Sequence, residues 1–272
     1  MTKPRPVILY RPDPALDEEE MAAMRQHFPV VKSRLDVVRH DLVVGRLSVL
    51  PFYADLEADL HRLGAGLINT YRQHRYIADL GAWVTDLEEV TPPTFTIDQM
   101  PYLTDDDQYD GFVLKGETNS RKFLWDTHMW APTKADVVHV YTNLVNDGLI
   151  SNQAIYIRRK ARLRTFFTAT HGLPITNEYR VFVARGEILS CGFYWSSYAD
   201  QVSVTDRVEP PVGWLRNVIA LIGDRATAYA LDVALHQDGV TWMVVELNDL
   251  QMAGRSENDP AVLYKRLADV LR

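Results

Sequence analysis

Ala228-Tyr-Ala-Leu-Asp232-Val-Ala-Leu-His-Gln-Asp238-Gly239-Val-Thr-Trp-Met-Val-Val-Glu246-Leu-Asn248-Asp249 reads as two β-strands joined by a turn. The first run, Tyr229 to Leu235, is apolar apart from Asp232. Asp238-Gly239 is a hairpin signal, because glycine accepts the positive φ such turns need. The second run, Val240 to Leu247, is rich in β-branched and aromatic residues. Side chains alternate faces along a strand, so Glu246 and Asn248 project to one side and Asp232 lies within their reach across the hairpin. Acids on an isolated hairpin are mostly solvated. Here the flanks are Ala230, Leu231, Val233, Val244, Val245 and Leu247, and an acid in that context costs free energy unless a cation or donor compensates it. Two carboxylates and an amide oxygen suit a hard divalent cation such as Mg²⁺.

Working outward, Trp214 to Ala230 has the period of an amphipathic helix, and Ala261 to Leu271 that of a closing helix with Val262, Leu263, Leu267 and Val270 on its apolar face. Asn177 to Leu189 reads as a second hairpin turning at Arg185-Gly186, with Glu178, Arg180 and Phe182 on one face. An arginine on a central strand needs an anion, either an acid such as Glu178 in a structural ion pair or a ligand. Phe112-Val-Leu-Lys115-Gly116 is a strand ending in lysine. With Arg121, Lys122 and the backbone amides of Gly116 to Ser120 it forms either a polyphosphate cradle or an ordinary surface turn. Ser151 to Ile157 is a strand running into Arg158-Arg159-Lys160, a basic run of the kind that is usually a solvated face.

Before Thr91-Pro-Pro-Thr94 the pattern changes. Short apolar strands (Val7 to Tyr10, Val30-Val31, Leu42 to Gly45) alternate with helices at Leu16 to His27, Phe52 to Leu63 and Tyr71 to Leu80. This predicts a small α/β domain over residues 1–92 and a second domain over 93–272. The 47% apolar content supports a sizeable core, and a net charge of −7 argues against bulk nucleic-acid binding, so an anionic ligand must be met by local Arg and Lys clusters. The single cysteine, Cys191, fits a reducing, cytoplasmic setting as a buried structural thiol. Met1 to Pro6 lacks a signal-peptide core, and no window has the apolar length of a membrane span. Zinc-ligand spacing, Gly-x-Ser-x-Gly and a Walker glycine loop are all absent.

The order of parts is a small α/β domain, a strand ending in lysine, a strand pair carrying Glu178 and Arg180, and a last hairpin Leu-Asp-Val…Asp-Gly…Val-Val-Glu-Leu-Asn. This resembles the ATP-grasp superfamily of carboxylate ligases. The resemblance implies an α/β (α+β) protein in which two antiparallel-sheet lobes enclose ATP behind a preceding domain. It also implies Mg²⁺, in two ions, on Asp232, Glu246 and Asn248, and Lys115 on the α- and β-phosphates. Arg121, Lys122, Arg158, Arg159 and Glu178 become nucleotide-contact candidates, and Arg180 a catalytic one that holds a substrate carboxylate or the transferring phosphoryl group. Gly66-Leu-Ile-Asn69 is similar to the family's strand before the grasp lobes. Two segments depart from the family pattern: Ile155 to Arg159, where acidic adenine and ribose contacts are usual, and Asp249 to Gly254, where Pro-Gly often follows the asparagine. Together with Glu178-Tyr-Arg180 they resemble a divergent, partly phage-associated branch rich in Arg and Lys at the site.

The implied reaction activates a small-molecule or peptide carboxylate as an acyl phosphate for an amine acceptor. The segments Lys115 to Phe123 and Arg158 to Thr176 would act as lids. No membrane partner is expected, and a homodimer is compatible with the sequence. Two other readings stand beside this one: an ATP/Mg-binding module that does not ligate, and a hydrolase using Asp232 and Glu246 as an acid/base pair, which leaves Lys115, Arg180 and Asn248 without a role.

Overall fold

The computed structural model describes residues 4–11, 18–48 and 52–272. The expectations placed on Met1 to Lys3, on the Pro12-Asp-Pro14 closure of the first strand and on the helix start at Leu16 and Asp17 lie outside the described residues. Four short strands, β1 (Arg5–Tyr10), β2 (Val30–Val31), β3 (Asp41–Arg46) and β4 (Gly66–Leu67), form an all-parallel sheet in the order β2-β1-β3-β4. Helices α1 (Glu18–His27) and α2 (Tyr53–Arg62) supply its connections. Parallel strands need such crossovers, which is why the strand-helix alternation was readable. The expected helix at Tyr71 to Leu80 is split into α3 (Tyr71–Ala78) and α4 (Leu80–Trp83) at Asp79, whose carboxylate caps the second by accepting from the Gly81 amide at 3.0 Å.

Two antiparallel sheets follow. The smaller comprises β5 (Thr94–Thr96), β6 (Phe112–Gly116), β7 (Trp130–Ala131) and, after α5 (Val137–Val145), β8 (Ile155–Arg159), in the order β5-β8-β6-β7. A two-stranded ribbon, β9 (Thr165–Thr168) and β10 (Pro174–Thr176), leads into the larger. That sheet contains β11 (Glu178–Ala184), β12 (Glu187–Phe193) and, after α6 (Val212–Ile222), β13 (Ala228–Leu235) and β14 (Trp242–Asp249), in the order β12-β11-β13-β14. Helix α7 (Pro260–Leu271) closes the chain. The expected pair of antiparallel lobes behind a parallel α/β sheet is the observed architecture. Among the described residues no helix is long and apolar enough to cross a membrane.

Alternation assigns the two faces of the large sheet. Tyr179, Val181, Val183, Leu231 and Val233 pack into one core with α4 and α6. Phe182, Ala184, Ala228 and Ala230 pack into another with Ile8 and Val44 of the parallel sheet and with α1 and α7. Glu178, Arg180 and Asp232 share the second face, beyond the end of that core. A buried ion pair ties the layers together: Arg46 donates to Glu20 at 2.8 Å and to the Leu250 and Ala253 carbonyls at 2.8 and 2.9 Å.

Several boundaries differ from expectation. Helix α6 stops at Ile222, not Ala230, because Gly223 takes φ 58° and the chain turns out of the helix. Strand β14 begins at Trp242, with Val240 exposed in a longer loop: Asp238 accepts from the Val240 and Thr241 amides at 2.9 Å, which extends the turn past Gly239. On α7 the buried stripe is Leu263, Tyr264, Leu267, Ala268 and Leu271, and Val262 faces solvent. Cys191 is exposed rather than buried, since β12 is an edge strand left uncovered at that point.

Candidate active site

A cavity of about 540 Å³ separates the two antiparallel sheets. Its walls combine apolar side chains, among them Val113, Trp125, Leu173, Met243 and Val245, with Lys115, Lys122, Arg158 and the acids Asp110, Glu178 and Glu246. Such a mix suits a ligand with a flat apolar part and an anionic part.

The hairpin β13–β14 builds one wall. Asp232 lies opposite Arg180 on one side and Glu246 on the other. A β-bulge at Val245 shifts the register between the Val233–Val244 and Asp232–Glu246 pairs. The extra residue turns Val245 and Glu246 together toward the cavity, and Glu246 and Asn248 still share a face because the bulge precedes both. The three side chains foreseen from the sequence do converge: Asn248 Nδ2 donates to Asp232 Oδ2 at 3.1 Å. From the opposite sheet, Lys115 reaches across the cavity and pairs with Glu246 Oε1. Burial alone would raise the Glu246 carboxyl, but Lys115, Lys122 and Arg180 outweigh it and hold it down to about 2. Desolvation pushes Lys115 below the usual lysine range despite that partner.

Arg180 has an acid partner, as the ion-pair reading required, but the partner is Asp232 and not Glu178. Nε and Nη2 donate to the two Asp232 oxygens at 2.8 and 2.7 Å, and Nη1 donates to the Gly254 carbonyl at 2.8 Å. The Tyr194 ring lies 4.9 Å from the guanidinium carbon, and Lys122 donates to the Tyr194 hydroxyl at 2.6 Å. Tyr194 was not foreseen, and nothing in its local sequence marks it. Glu178 is 3% exposed, and its Oε1 has no partner. Burial pushes its carboxyl up to about 7 against the pull of Lys122.

Arg158 and Arg159 are not a solvated run. They lie within β8, whose strand starts at Ile155 rather than Ser151, and they point to opposite faces. Arg158 bridges the sheets, donating to the Val245 carbonyl that the bulge frees (2.6 Å) and to the Thr91 and Thr94 hydroxyls (2.7 and 3.1 Å). Its burial lowers the guanidinium to about 10. Arg159 also borders the cavity, but its guanidinium is held by the small lobe, donating to the Thr104 carbonyl at 2.7 Å and lying 4.7 Å from the Phe112 ring centroid. Arg158→Met keeps the stem but takes the donor from the Val245 carbonyl and from the Thr91 and Thr94 hydroxyls, of which Thr91 keeps its own bond to the Val244 carbonyl at 2.8 Å. It is expected to lower unfolding free energy by about 2–4 kcal/mol, read as a shifted midpoint in denaturant.

Arg121 pairs with Asp147 at 2.8 Å and is not among the residues lining the cavity. The backbone cradle expected at Gly116 to Ser120 is partly engaged already. The Glu117 amide donates to the Ala154 carbonyl and the Thr118 amide to Gln153, and Lys115 and Lys122 are the cations of this segment that line the cavity.

A hard cation fits part of this set. Glu246 lines the cavity and keeps Oε2 open, and Asn248 keeps Oδ1 after donating through its amide. Asp232 is 0% exposed and both its oxygens are taken. It therefore does not fit as a metal ligand in this arrangement, nor as one half of a hydrolytic acid/base pair. Among the described residues no group of three or more His, Cys, Asp or Glu side chains is placed to hold a metal.

Residues 109–267 match the model of an ATP-grasp domain family, the third family of its clade. Among solved structures the chain is similar to the D-cycloserine synthetase DcsG (TM-score 0.63, 15% identity, 98% of this chain and 100% of that one). It is also similar to the ATP-grasp ligase PsnB complexed with minimal precursor, Mg and ADP (0.59, 11%, 98% and 96%). A RimK domain ATP-grasp protein from Sphaerobacter thermophilus DSM 20745 is likewise similar (0.54, 16%, 96% and 98%). These likenesses bear on the fold. No curated protein matches the chain.

Proposed function

Since the chain belongs to this ATP-grasp domain family, we propose that it is an ATP-dependent ligase that activates a carboxylate as an acyl phosphate for attack by an amine, with release of ADP and phosphate. The observation that carries this reading is the ion pair thrown across the cavity, Lys115 of one sheet on Glu246 of the other, with Lys122 and Arg158 lining the same cavity. Phosphoryl transfer asks mainly for positioning and for stabilisation of charge on the transferred group. Lys115 and Lys122 neutralise phosphate oxygens. Arg180 presents its outer N–H groups to the transferring group or the substrate carboxylate. Val113, Met243 and Val245 hold the flat base, and Trp125 and Leu173 exclude water that would hydrolyse the intermediate. Glu246 and Asn248 would be the residues to hold Mg²⁺, which would supply further charge neutralisation when bound.

We take the substrates to be a small-molecule or peptide carboxylate and an amine. The likeness to a D-cycloserine synthetase and to a ligase solved with a precursor peptide supports that range. One observation favours a module that binds Mg-ATP without ligating: Asp232 is sealed against Arg180 instead of facing the cavity. The two readings separate by experiment. For both, Mg-ATP at a hundred times its Kd adds about 2.7 kcal/mol of stability and raises the melting midpoint by several degrees. Only a ligase releases ADP in a manner that depends on an added carboxylate and amine. A melting curve indifferent to Mg-ATP rejects both.

A further inference from the structure

Lys115 and Lys122 both line the cavity, but they are held differently. Lys115 is paired with the Glu246 carboxylate, so its charge is compensated before any ligand arrives. Lys122 opens the turn Lys122–Leu124 of the smaller lobe, and among the described residues its one hydrogen bond runs to the larger lobe: Nζ donates to the Tyr194 hydroxyl at 2.6 Å. The same nitrogen lies 4.3 Å from the Tyr194 ring centroid and 5.5 Å from that of Trp195. Burial pushes the Tyr194 phenol above its usual range, so the partner of this ammonium is uncharged at neutral pH. An ammonium has three N–H donors, and with one spent on Tyr194 the others are left for a ligand.

Tyr194 is itself fixed from several sides, all within the larger lobe. Its amide donates to the Glu178 carbonyl at 2.9 Å, which continues the β11–β12 pairing past Phe193. Trp195 meets its ring edge-on at 4.9 Å, and the Trp195 indole donates to the Thr176 hydroxyl at 3.3 Å. The Arg180 guanidinium carbon lies 4.9 Å from the Tyr194 ring centroid, and Arg180 cannot leave without stranding the buried Asp232. The tip of Lys122 is thus docked on a rigid wall, while its turn is tied to the smaller lobe through the neighbouring Arg121–Asp147 pair. Immobilising a flexible four-carbon stem costs entropy, so a cation fixed beforehand binds an anion more tightly than one the anion must order.

We propose that Tyr194 is a positioning residue for Lys122, holding the ammonium at the cavity wall with its charge uncompensated, so that the phosphates of a nucleotide meet a cation already in place. The proposal rests on the nucleotide-binding reading above. Tyr194 is not among the residues that line the cavity, so it acts through the lysine and not on the nucleotide. A carboxylate in its place would hold the lysine more tightly and leave it less charge to offer.

Calorimetric titration with a non-hydrolysable Mg-ATP analogue tests this, with no turnover required, on the wild type, Tyr194→Phe, Lys122→Met and the double variant. Phenylalanine keeps the ring and removes the hydroxyl. It is expected to weaken binding about tenfold, the scale of one hydrogen bond to a charged group. Lys122→Met is expected to lose at least as much, and the double variant no more than Lys122→Met alone, because the tyrosine acts only through the lysine. Losses that add overturn the proposal, since a tyrosine that merely shapes the lobe costs the same with or without the lysine. Tyr194→Phe binding within about twofold of wild type overturns it too. If Tyr194→Phe does not fold, Lys122→Met decides: a loss of about tenfold or more supports the proposal, and unchanged affinity overturns it. A wild type that binds no nucleotide instead removes the reading on which the proposal stands.

Discussion

Replacing Glu246 with glutamine is expected to weaken Mg-dependent nucleotide binding about a hundredfold or more, since even outer-shell partners of a metal are worth about 10–100-fold in affinity. Glutamine keeps the shape and removes the charge. Glu246 is the one acid of the hairpin that lines the cavity, and its ionisation is secured by Lys115, Lys122 and Arg180, which hold it down to about 2. Because that value lies below the ordinary 4.5, the stability it contributes is fully present above about 4.5 and is lost as pH falls toward about 2. At neutral pH the wild-type carboxylate is therefore always charged. The variant also strands Lys115, which desolvation already pushes below the usual lysine range. Without its acid that ammonium sheds its proton more readily, so a phosphate-facing cation is lost as well, and the defect should deepen as pH rises. Calorimetric titration with a Mg-bound ATP analogue across pH measures this. Affinity and turnover within tenfold of wild type would sink the metal role of Glu246.

The sequence carried the architecture well where a rule of periodicity applied and less well where partners are distant. The lysine strand Phe112–Gly116 has the observed bounds, and the convergence of Asp232, Glu246 and Asn248 follows from two strands and a turn. What alternation cannot reveal is who faces whom between strands far apart in the chain. Glu178 is two residues from Arg180, so it was the visible acid, but the partner that β11–β13 pairing supplies is Asp232, 52 positions away. Arg158-Arg159 looked like a solvated run because charge in sequence says nothing about burial. The bulge at Val245 and the hydroxyls of Thr91 and Thr94 create acceptors for Arg158 that only the assembled sheets contain. Cys191 went the other way: strand-like flanks suggested burial, and an uncovered sheet edge exposes it. Asn69 stood out only through its resemblance to a family segment, although its position is fixed by the Thr227 and Ala228 amides, which donate to its Oδ1 at 3.1 and 2.9 Å.

Asp249→Ala is expected to cost about 3–5 kcal/mol of unfolding free energy, the scale for removing one partner from a buried charged network. Asp249 directly follows Asn248 and points into the protein, 3% exposed. Its Oδ1 accepts from Asn69 Nδ2 at 3.2 Å and from the Gln251 amide at 3.0 Å, and its Oδ2 lies 3.0 Å from His74 Nδ1. His74 stacks on the Tyr53 ring at 4.0 Å, and Gln251 donates to the Tyr53 hydroxyl at 2.7 Å while accepting from the Gly45 amide at 2.8 Å. One carboxylate thus joins α2, α3 and β3 to the end of the strand that carries Glu246. Alanine leaves His74, Asn69 and Gln251 with buried polar atoms facing a void, and unsatisfied groups of this kind cost about 1–3 kcal/mol each. Because the same network fixes the end of β14, loosening it should also weaken nucleotide binding without touching a cavity-lining residue. Asp249→Asn, which keeps the volume and some of the hydrogen bonds, should fall between wild type and alanine on both measures. Urea unfolding alongside nucleotide titration provides the check. If Asp249→Ala melts like wild type, the network is not what holds the parallel sheet to the hairpin, and the coupling argued from its hydrogen bonds fails.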